Sequence, residues 1–160
     1  MQIKNGFTLI ELMIVVAIVS FLAAISIPTF SKMIAKTKRT EAHMNLHALY
    51  AAEKAYWAEH GSYTTQLNGP DGIGWTPEGY HGGGKDEQFN YTYGFFDGPE
   101  GQTHFTGKLE TSPSFLSGSN AGQQEFIAYA AGDIDGDGKP DIITINQNNK
   151  ITVLQDDLQD

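Results

Sequence analysis

From Phe7 to Ile27 the chain runs for 21 residues with a single charge, Glu11, and with neither proline nor glycine. At 1.5 Å rise per residue such a run makes a helix of about 31 Å, the thickness of the hydrocarbon core of a bilayer. A secretory signal peptide is the ordinary alternative, with Lys4 as its basic region and Ala23 and Ala24 near a cleavage point. Two features oppose it. The apolar run exceeds the roughly 7–15 residues of a signal's apolar region. A carboxylate also stands near its start, where inserting a charge costs about 2.5–3.5 kcal/mol on translocon scales and less near the interface. Glu11 therefore calls for a partner that offsets its charge.

The rest of the chain is a different material. Of 32 Ile, Leu, Val and Met residues, 16 fall within Met1–Ile34, and 17 of the 18 glycines lie after His60. Charge divides at the same place: residues 1–60 hold six basic and four acidic groups (+2), residues 61–160 four and fifteen (−11). A core built from the second part must rely on aromatic rings more than on aliphatic side chains. The acidic balance leaves no broad surface for neutralising phosphates, so no nucleic acid is expected as a partner of this part. With 160 residues in all and no cysteine, the chain has room for one modest core, and disulfides, thiolate zinc sites and a cysteine nucleophile are excluded.

The stretch Gly6-Phe7-Thr8-Leu9-Ile10-Glu11-Leu12-Met13-Ile14-Val15-Val16-Ala17-Ile18 resembles the start of type IV pilins and of the related type II secretion pseudopilins. The resemblance implies a leader, residues 1–6, removed after Gly6 by a prepilin peptidase of the inner membrane, with Phe7 becoming the N-methylated first residue. It also implies that Glu11 neutralises the terminal amine of a neighbouring copy during assembly. A buried carboxylate is tolerable when it meets a buried cation, and cleavage would create that cation at the Phe7 nitrogen. The plainer reading is a membrane anchor whose Glu11 snorkels to the interface. One feature opposes the orientation the resemblance implies: Lys32, Lys36, Lys38 and Arg39 follow the apolar run while only Lys4 precedes it, so the positive-inside rule alone places the downstream part in the cytoplasm.

Pro28 predicts a kink or a locally melted turn at Ile27–Pro28. Beyond it Ala42, Leu46, Leu49, Tyr50, Tyr56 and Trp57 share one helical face, which predicts an amphipathic helix to about His60, stopped by Gly61. Glu53 falls on that apolar face and needs a partner there. Downstream, a turn-rich connector leads through Gly82-Gly83-Gly84 to strand-like stretches at Phe89–Phe96, Thr103–Leu109, Gln124–Ala131, Ile142–Asn146 and Ile151–Leu154. The expected fold class is α+β: a long N-terminal helix packed on a small antiparallel sheet. The expected organisation is 1–6 leader, 7–30 transmembrane or filament-core helix, 31–60 amphipathic helix and 61–160 sheet domain. The order of helix, connector, sheet and tail also resembles type IVa pilins. The segments Ala52-Glu53-Lys54-Ala55-Tyr56, Gly61-Ser62-Tyr63 and Trp75-Thr76-Pro77-Glu78-Gly79-Tyr80 look like pilins of predatory and gliding bacteria. Many pilins close this region with a disulfide, impossible here, so another staple is needed.

Asp133-Ile134-Asp135-Gly136-Asp137-Gly138-Lys139-Pro140-Asp141 offers one. Carboxylates at positions one, three and five with glycine at six can converge on a hard cation, and calcium is the natural occupant. Lys139 would give its backbone carbonyl at position seven, and Asp141 at position nine would bind directly or through water. Thr144 stands at position twelve instead of the bidentate Glu of an EF-hand, and the resemblance adds that major pseudopilins bind calcium at a comparable place. Read without a cation, the stretch is an acidic hairpin turn.

No convergent catalytic set is visible. His43, His47, His60, His81 and His104 are scattered, and the serines sit in no nucleophile motif. His43 and His47 share a helix face but lack an acid at zinc-motif spacing. His81 beside three glycines lacks the spacing of a P-loop. The expected role is a structural subunit, not an enzyme: a type IV pilin that polymerises with copies of itself, starting in the inner membrane and ending in a surface filament for motility or adhesion. Two alternatives stay open. One is a type II secretion pseudopilin in a periplasmic pseudopilus. The other is a membrane-anchored calcium-binding adhesive protein that never polymerises.

Overall fold

The computed structural model describes residues 6–159, which divide into two compact units at Ile34/Ala35. The first unit is helical. Helix α1, Leu9–His60, begins in it, and Thr8 caps the start. The Glu11 amide donates to Thr8 Oγ1 at 3.3 Å, while the Thr8 amide and hydroxyl donate to Glu11 Oε2 at 2.9 and 2.7 Å. This is a reciprocal capping box, which satisfies amides that a helix start otherwise leaves unpaired. Of the kink or locally melted turn expected at Ile27–Pro28, the melted turn is not formed, since helical structure runs through both residues. Proline removes one donor, and the adjoining turns carry extra bonds from Thr29 Oγ1 to Ile25 O (3.0 Å) and from Ser31 Oγ to Ile27 O (3.2 Å).

In the second unit α1 buries Ala35, Ala42, Leu46, Leu49 and Glu53, the recurrence that a helix laid on a core requires. Tyr50 and Tyr56 are only half-buried, and Trp57 is exposed but donates its indole N–H to Gln123 O at 3.0 Å. The helix ends at Gly61, whose amide reaches Trp57 O at 2.8 Å and whose φ of +71° is the left-handed conformation that glycine accepts without strain.

Among the described residues six short strands follow: β1 (Thr92–Gly94), β2 (His104–Phe105), β3 (Asn120–Ala121), β4 (Phe126–Gly132), β5 (Asp141–Asn146) and β6 (Ile151–Gln155). All pairings between them are antiparallel, in the order β2-β1-β4-β5-β6 with β3 also on β4. The expected stretches all contribute strands, but those at 89–96 and 103–109 shrink to three and two residues. Their flanks bond outside the ladder, as in Lys108 N to Phe89 O (2.8 Å) and Leu109 N to Asn90 O (3.1 Å). A 3-10 turn, Pro113–Leu116, and strand β3 are additional to the expected elements.

The core is aromatic, as the shortage of aliphatics implies. Tyr91, Tyr93, Phe95, Phe105 and Phe126 are fully buried beside Leu46, Leu49, Ile143 and Ile145. Trp75 meets Phe105 edge-on at 5.7 Å, as does Tyr80 at 4.7 Å, an arrangement that ring quadrupoles favour. Polar pins fix α1 to the sheet: Glu41 accepts from the Asn90 amide at 2.8 Å and from Tyr93 Oη at 3.2 Å.

Candidate functional site

Two features stand apart from this packing. The first is the amino-terminal unit. Residues 1–5, which include Lys4 and most of the expected leader, lie outside the described residues. Gly6 opens the described chain, and Phe7 is 83% exposed. From Phe7 to Met33 the large apolar side chains are exposed in a single copy, and this part of α1 is long and apolar enough to cross a membrane. Surface of that extent is stable only against lipid or against other apolar helices. Glu11 is the one acidic residue within it, and Thr8 holds its carboxylate at the helix start. The sequence carries that cap as Thr8-x-x-Glu11, the capping-box spacing.

The second feature is the loop between β4 and β5. The Gly136 and Gly138 amides donate to Asp133 at 2.8 and 3.0 Å, the Asp137 amide to Asp135 at 3.1 Å and the Lys139 amide to Asp137 at 2.8 Å. Gly138, with φ of +91°, makes the sharp turn that position six requires. One oxygen from each of Asp133, Asp135, Asp137 and Asp157 lies within 4.8 Å of the others. Asp157 comes from the tail beyond β6, and the loop spacing gave no hint of it. It is 3% exposed, and its Oδ2 accepts from the Ile134 amide at 2.8 Å. Burial first, then the charge of Asp135, pushes its carboxyl above the ordinary range.

Asp141 stands outside this group. The spacing assigns it to position nine of a cation loop, whereas the structure turns it to α1. Arg39 Nε donates to its Oδ2 at 2.9 Å and Arg39 Nη2 to its Oδ1 at 2.6 Å, with Tyr91 Oη adding a bond at 2.7 Å. Arg39 Nη2 also donates to Asp156, so one guanidinium holds two carboxylates. That hydrogen bond lowers the Asp156 pKa. Lys139 is exposed, with Nζ 3.8 Å from Asp137 Oδ2.

The remaining candidates are structural. The Gly-rich run around His81 does wrap an anion, but an internal one: the His81 and Gly83 amides both donate to Glu87 Oε1 at 2.8 Å. His47 Nδ1 lies 2.9 Å from Asn149 Oδ1, and burial, then the charges of Arg39 and His47, holds the His43 imidazole below its usual pKa. Thr103, His104 and Glu100 line up at 3.3 and 3.2 Å. This resembles the order of a nucleophile, a base and an orienting acid, yet Thr103 is 0% exposed and can reach no substrate.

Comparison with known proteins agrees with the amino-terminal reading. Residues 1–27 match the family described as the prokaryotic N-terminal methylation motif, and residues 128–156 match the FG-GAP repeat. The chain is 53% identical over 75 residues to the type IV major pilin protein PilA of Myxococcus xanthus, covering 47% of this chain and 33% of that protein. It is 37% identical over 78 residues to the fimbrial protein EcpC of Eikenella corrodens, covering 49% of this chain and 50% of that protein. It is 38% identical over 71 residues to the type IV major pilin protein PilE1 of Neisseria gonorrhoeae, covering 44% and 32%. The matches thus span between a third and a half of the curated relatives' length. The chain carries the N-terminal methylation motif of prokaryotic prepilins and is similar to type IV major pilins.

Proposed function

We propose that this chain is the structural subunit of a type IV pilus. The observation that carries the reading is the pairing of the methylation motif over residues 1–27 with an exposed apolar helix that holds one carboxylate at its start. In this reading prepilin peptidase cuts between Gly6 and Phe7 in the inner membrane, and Phe7 is methylated. The apolar half of α1 then leaves lipid for contact with copies of itself. Each transfer replaces lipid by protein without exposing apolar surface to water, so the chain needs no catalytic group of its own.

Glu11 supplies the selection. In the single copy its carboxylate is satisfied by Thr8. An incoming terminal amine competes for the same oxygens with a full positive charge, and charge-assisted hydrogen bonds are roughly twice as strong as neutral ones. A newcomer whose amine is misplaced leaves a carboxylate in an apolar bundle, which is strongly unfavourable.

Sheared surface filaments test the reading directly. Their subunit is expected to begin at methylated Phe7. Glu11→Ala is expected to insert into the membrane at normal levels and to reduce filaments by more than about 100-fold, the effect of some 3 kcal/mol per docking step. Thr8→Ala is expected to keep filaments, because it costs only about 1 kcal/mol of helix capping. Wild-type filament yield from Glu11→Ala would remove the charge pairing. Absence of the chain from surface fibres, together with a protein-export defect on its deletion, would replace the pilus by the pseudopilus.

A further inference from the structure

We infer that Asn68 is a self-modifying site: in the folded chain its carboxamide is lost to the amide of Gly69 without an enzyme, leaving aspartate or isoaspartate at the tip of the connector. The inference does not rest on the pilus reading, since the reacting atoms all belong to residues 68 and 69.

The step is an internal acyl transfer with water as the second reactant. The Gly69 nitrogen gives its proton to solvent and attacks Asn68 Cγ. The Cγ–Nδ2 bond breaks, Nδ2 takes up a proton and leaves as ammonia, and a five-membered succinimide closes. Water then opens the ring on either side of the nitrogen. Cutting its bond to Cγ gives aspartate, and cutting its bond to the Asn68 backbone carbon gives isoaspartate.

The sequence supplies the reactants, because Asn68 alone among the described asparagines precedes a glycine. The fold then positions them. The Gly69 amide donates to Asn68 Oδ1 at 2.9 Å, so the side chain is folded back on the next peptide, and Cγ, one bond from that oxygen, lies beside the nitrogen that attacks it. Holding reactants together in this way lowers the barrier that a free chain meets. No backbone acceptor among the described residues holds the Gly69 amide. A Cβ on Gly69 would meet nothing within 4 Å, so the approach is open to water, and the φ of +108° is one that glycine alone adopts freely.

The base of the turn is fixed while its tip faces solvent. The Leu67 and Asn68 amides donate to Gln102 O at 2.7 and 3.1 Å, the Ile73 amide to Gln66 O at 3.0 Å and the Trp75 amide to Leu67 O at 2.9 Å. Gly69, Pro70 and Asp71 are exposed. Elsewhere the carboxamides are occupied. Asn45 Nδ2 donates to Tyr93 Oη at 3.1 Å, Asn90 Nδ2 to Glu41, and Asn146 Oδ1 accepts the Asn148 and Lys150 amides at 3.0 and 3.2 Å.

The products change the tip. Either one adds a negative charge to a cavity wall that Glu59 and Asp71 share with Tyr56 and His60. Isoaspartate also inserts a methylene into the main chain. Gly72 packs there so tightly that a Cβ on it would stand 2.7 Å from the Asn68 carbonyl carbon, so the lengthened turn must loosen. Because no enzyme is needed, the converted fraction records the time that the folded chain has spent in water.

The test incubates the full chain, folded in detergent, in neutral buffer and follows its peptides by mass and chromatography. Asn68 is expected to convert about tenfold or more faster than Asn45, with one ammonia released per conversion and both acid isomers resolved. Asn68→Gln, which would need a six-membered ring, and Gly69→Ala, which sets a Cβ beside the attacking nitrogen, should each slow the loss about tenfold or more. The glutamine variant leaves the glycine conformation untouched and keeps the test valid if the alanine distorts the turn. Hydrogen exchange over residues 68–72 should quicken about tenfold or more in the converted chain, with strand β5 unchanged. Conversion at Asn68 no faster than at Asn45 would overturn the proposal. So would a rate in the folded chain more than about tenfold below that of the same chain unfolded in guanidinium, since the fold would then protect the site instead of positioning it. Equal exchange before and after conversion would overturn the loosening.

Discussion

Replacing Arg39 by leucine is expected to destabilise the second unit by about 3–5 kcal/mol, the usual cost of removing one partner from a buried ion pair. Asp141 is 0% exposed, and two of its hydrogen bonds come from this guanidinium. Burial alone would lower the Arg39 pKa, but the hydrogen bonds and charges of Asp156 and Asp141 carry it well above its ordinary value. Without Arg39, Asp141 keeps Tyr91 Oη and a long bond from the Asp157 amide, too little to stabilise a buried negative charge. The tail also loses Asp156 as its link to α1. Arg39→Lys should recover only part of the loss, because an ammonium cannot present the planar fork that meets Asp141 through Nε and Nη2 together. Joint replacement of Arg39 and Asp141 by apolar residues of similar size should be milder than Arg39→Leu alone, since no unpaired charge remains. Denaturant midpoints of the detergent-solubilised chains measure all three. A loss under about 1 kcal/mol for Arg39→Leu would show that this pair contributes no more than a surface one.

Arg39 also shows where sequence reasoning stops. Local rules made α1 legible: Ala42, Leu46 and Leu49 recur at helical spacing and are buried, and Gly61 ends the helix where a left-handed residue is needed. The strands were legible from alternating apolar runs between turn residues. The site was legible only within the loop, since Asp133, Asp135 and Asp137 are alternate neighbours. Asp157 joins them through topology: β6 returns antiparallel to β5 with Gln155 opposite Ile142, which brings the residues after Gln155 back to the loop that precedes β5. An Asp-Asp pair just beyond the last predicted strand was the available signal, but using it requires the pairing of that strand. The pairing of Asp141 with Arg39 was illegible for the converse reason. Its position in the loop pattern is local, whereas its partner lies 102 residues away. An arginine one turn before the buried Ala42 was a sign that some carboxylate must come to meet it. At Pro28 one missing donor does not melt a long helix.

Glu53 should make the second unit progressively less stable as pH rises from about 4.5 to about 8. The carboxyl is 0% exposed on the inner face of α1, with Oε2 accepting from the Thr64 amide at 3.3 Å and Oε1 without a partner among the described residues. Burial pushes its pKa from 4.5 up to about 8, against the smaller opposing effect of the Thr64 hydrogen bond. Below 4.5 the group is protonated whether the chain is folded or unfolded, and it makes no difference to stability. Between 4.5 and 8 the unfolded chain loses the proton while the folded chain keeps it, so stability falls by roughly 1.4 kcal/mol per pH unit. Across the window the loss is on the order of 5 kcal/mol, and above it the curve is flat again. Asp156, whose pKa is lowered, acts with the opposite sign and only at more acid pH, where its bond to Arg39 is lost. His43 and His104, whose pKa values are also lowered, raise stability as pH climbs toward 6.5. The comparison is therefore the difference between the unaltered chain and Glu53→Gln, in which these other groups cancel. The glutamine keeps an oxygen for the Thr64 amide and has no charge to bury, so it should match glutamate near pH 4.5 and exceed it by several kcal/mol at pH 8.5. Glu53→Leu is a poorer substitute, because it leaves the Thr64 amide unpaired. Parallel stability curves for the glutamate and glutamine chains from pH 4.5 to 8.5 would mean that Glu53 ionises in the folded state as readily as in the unfolded one.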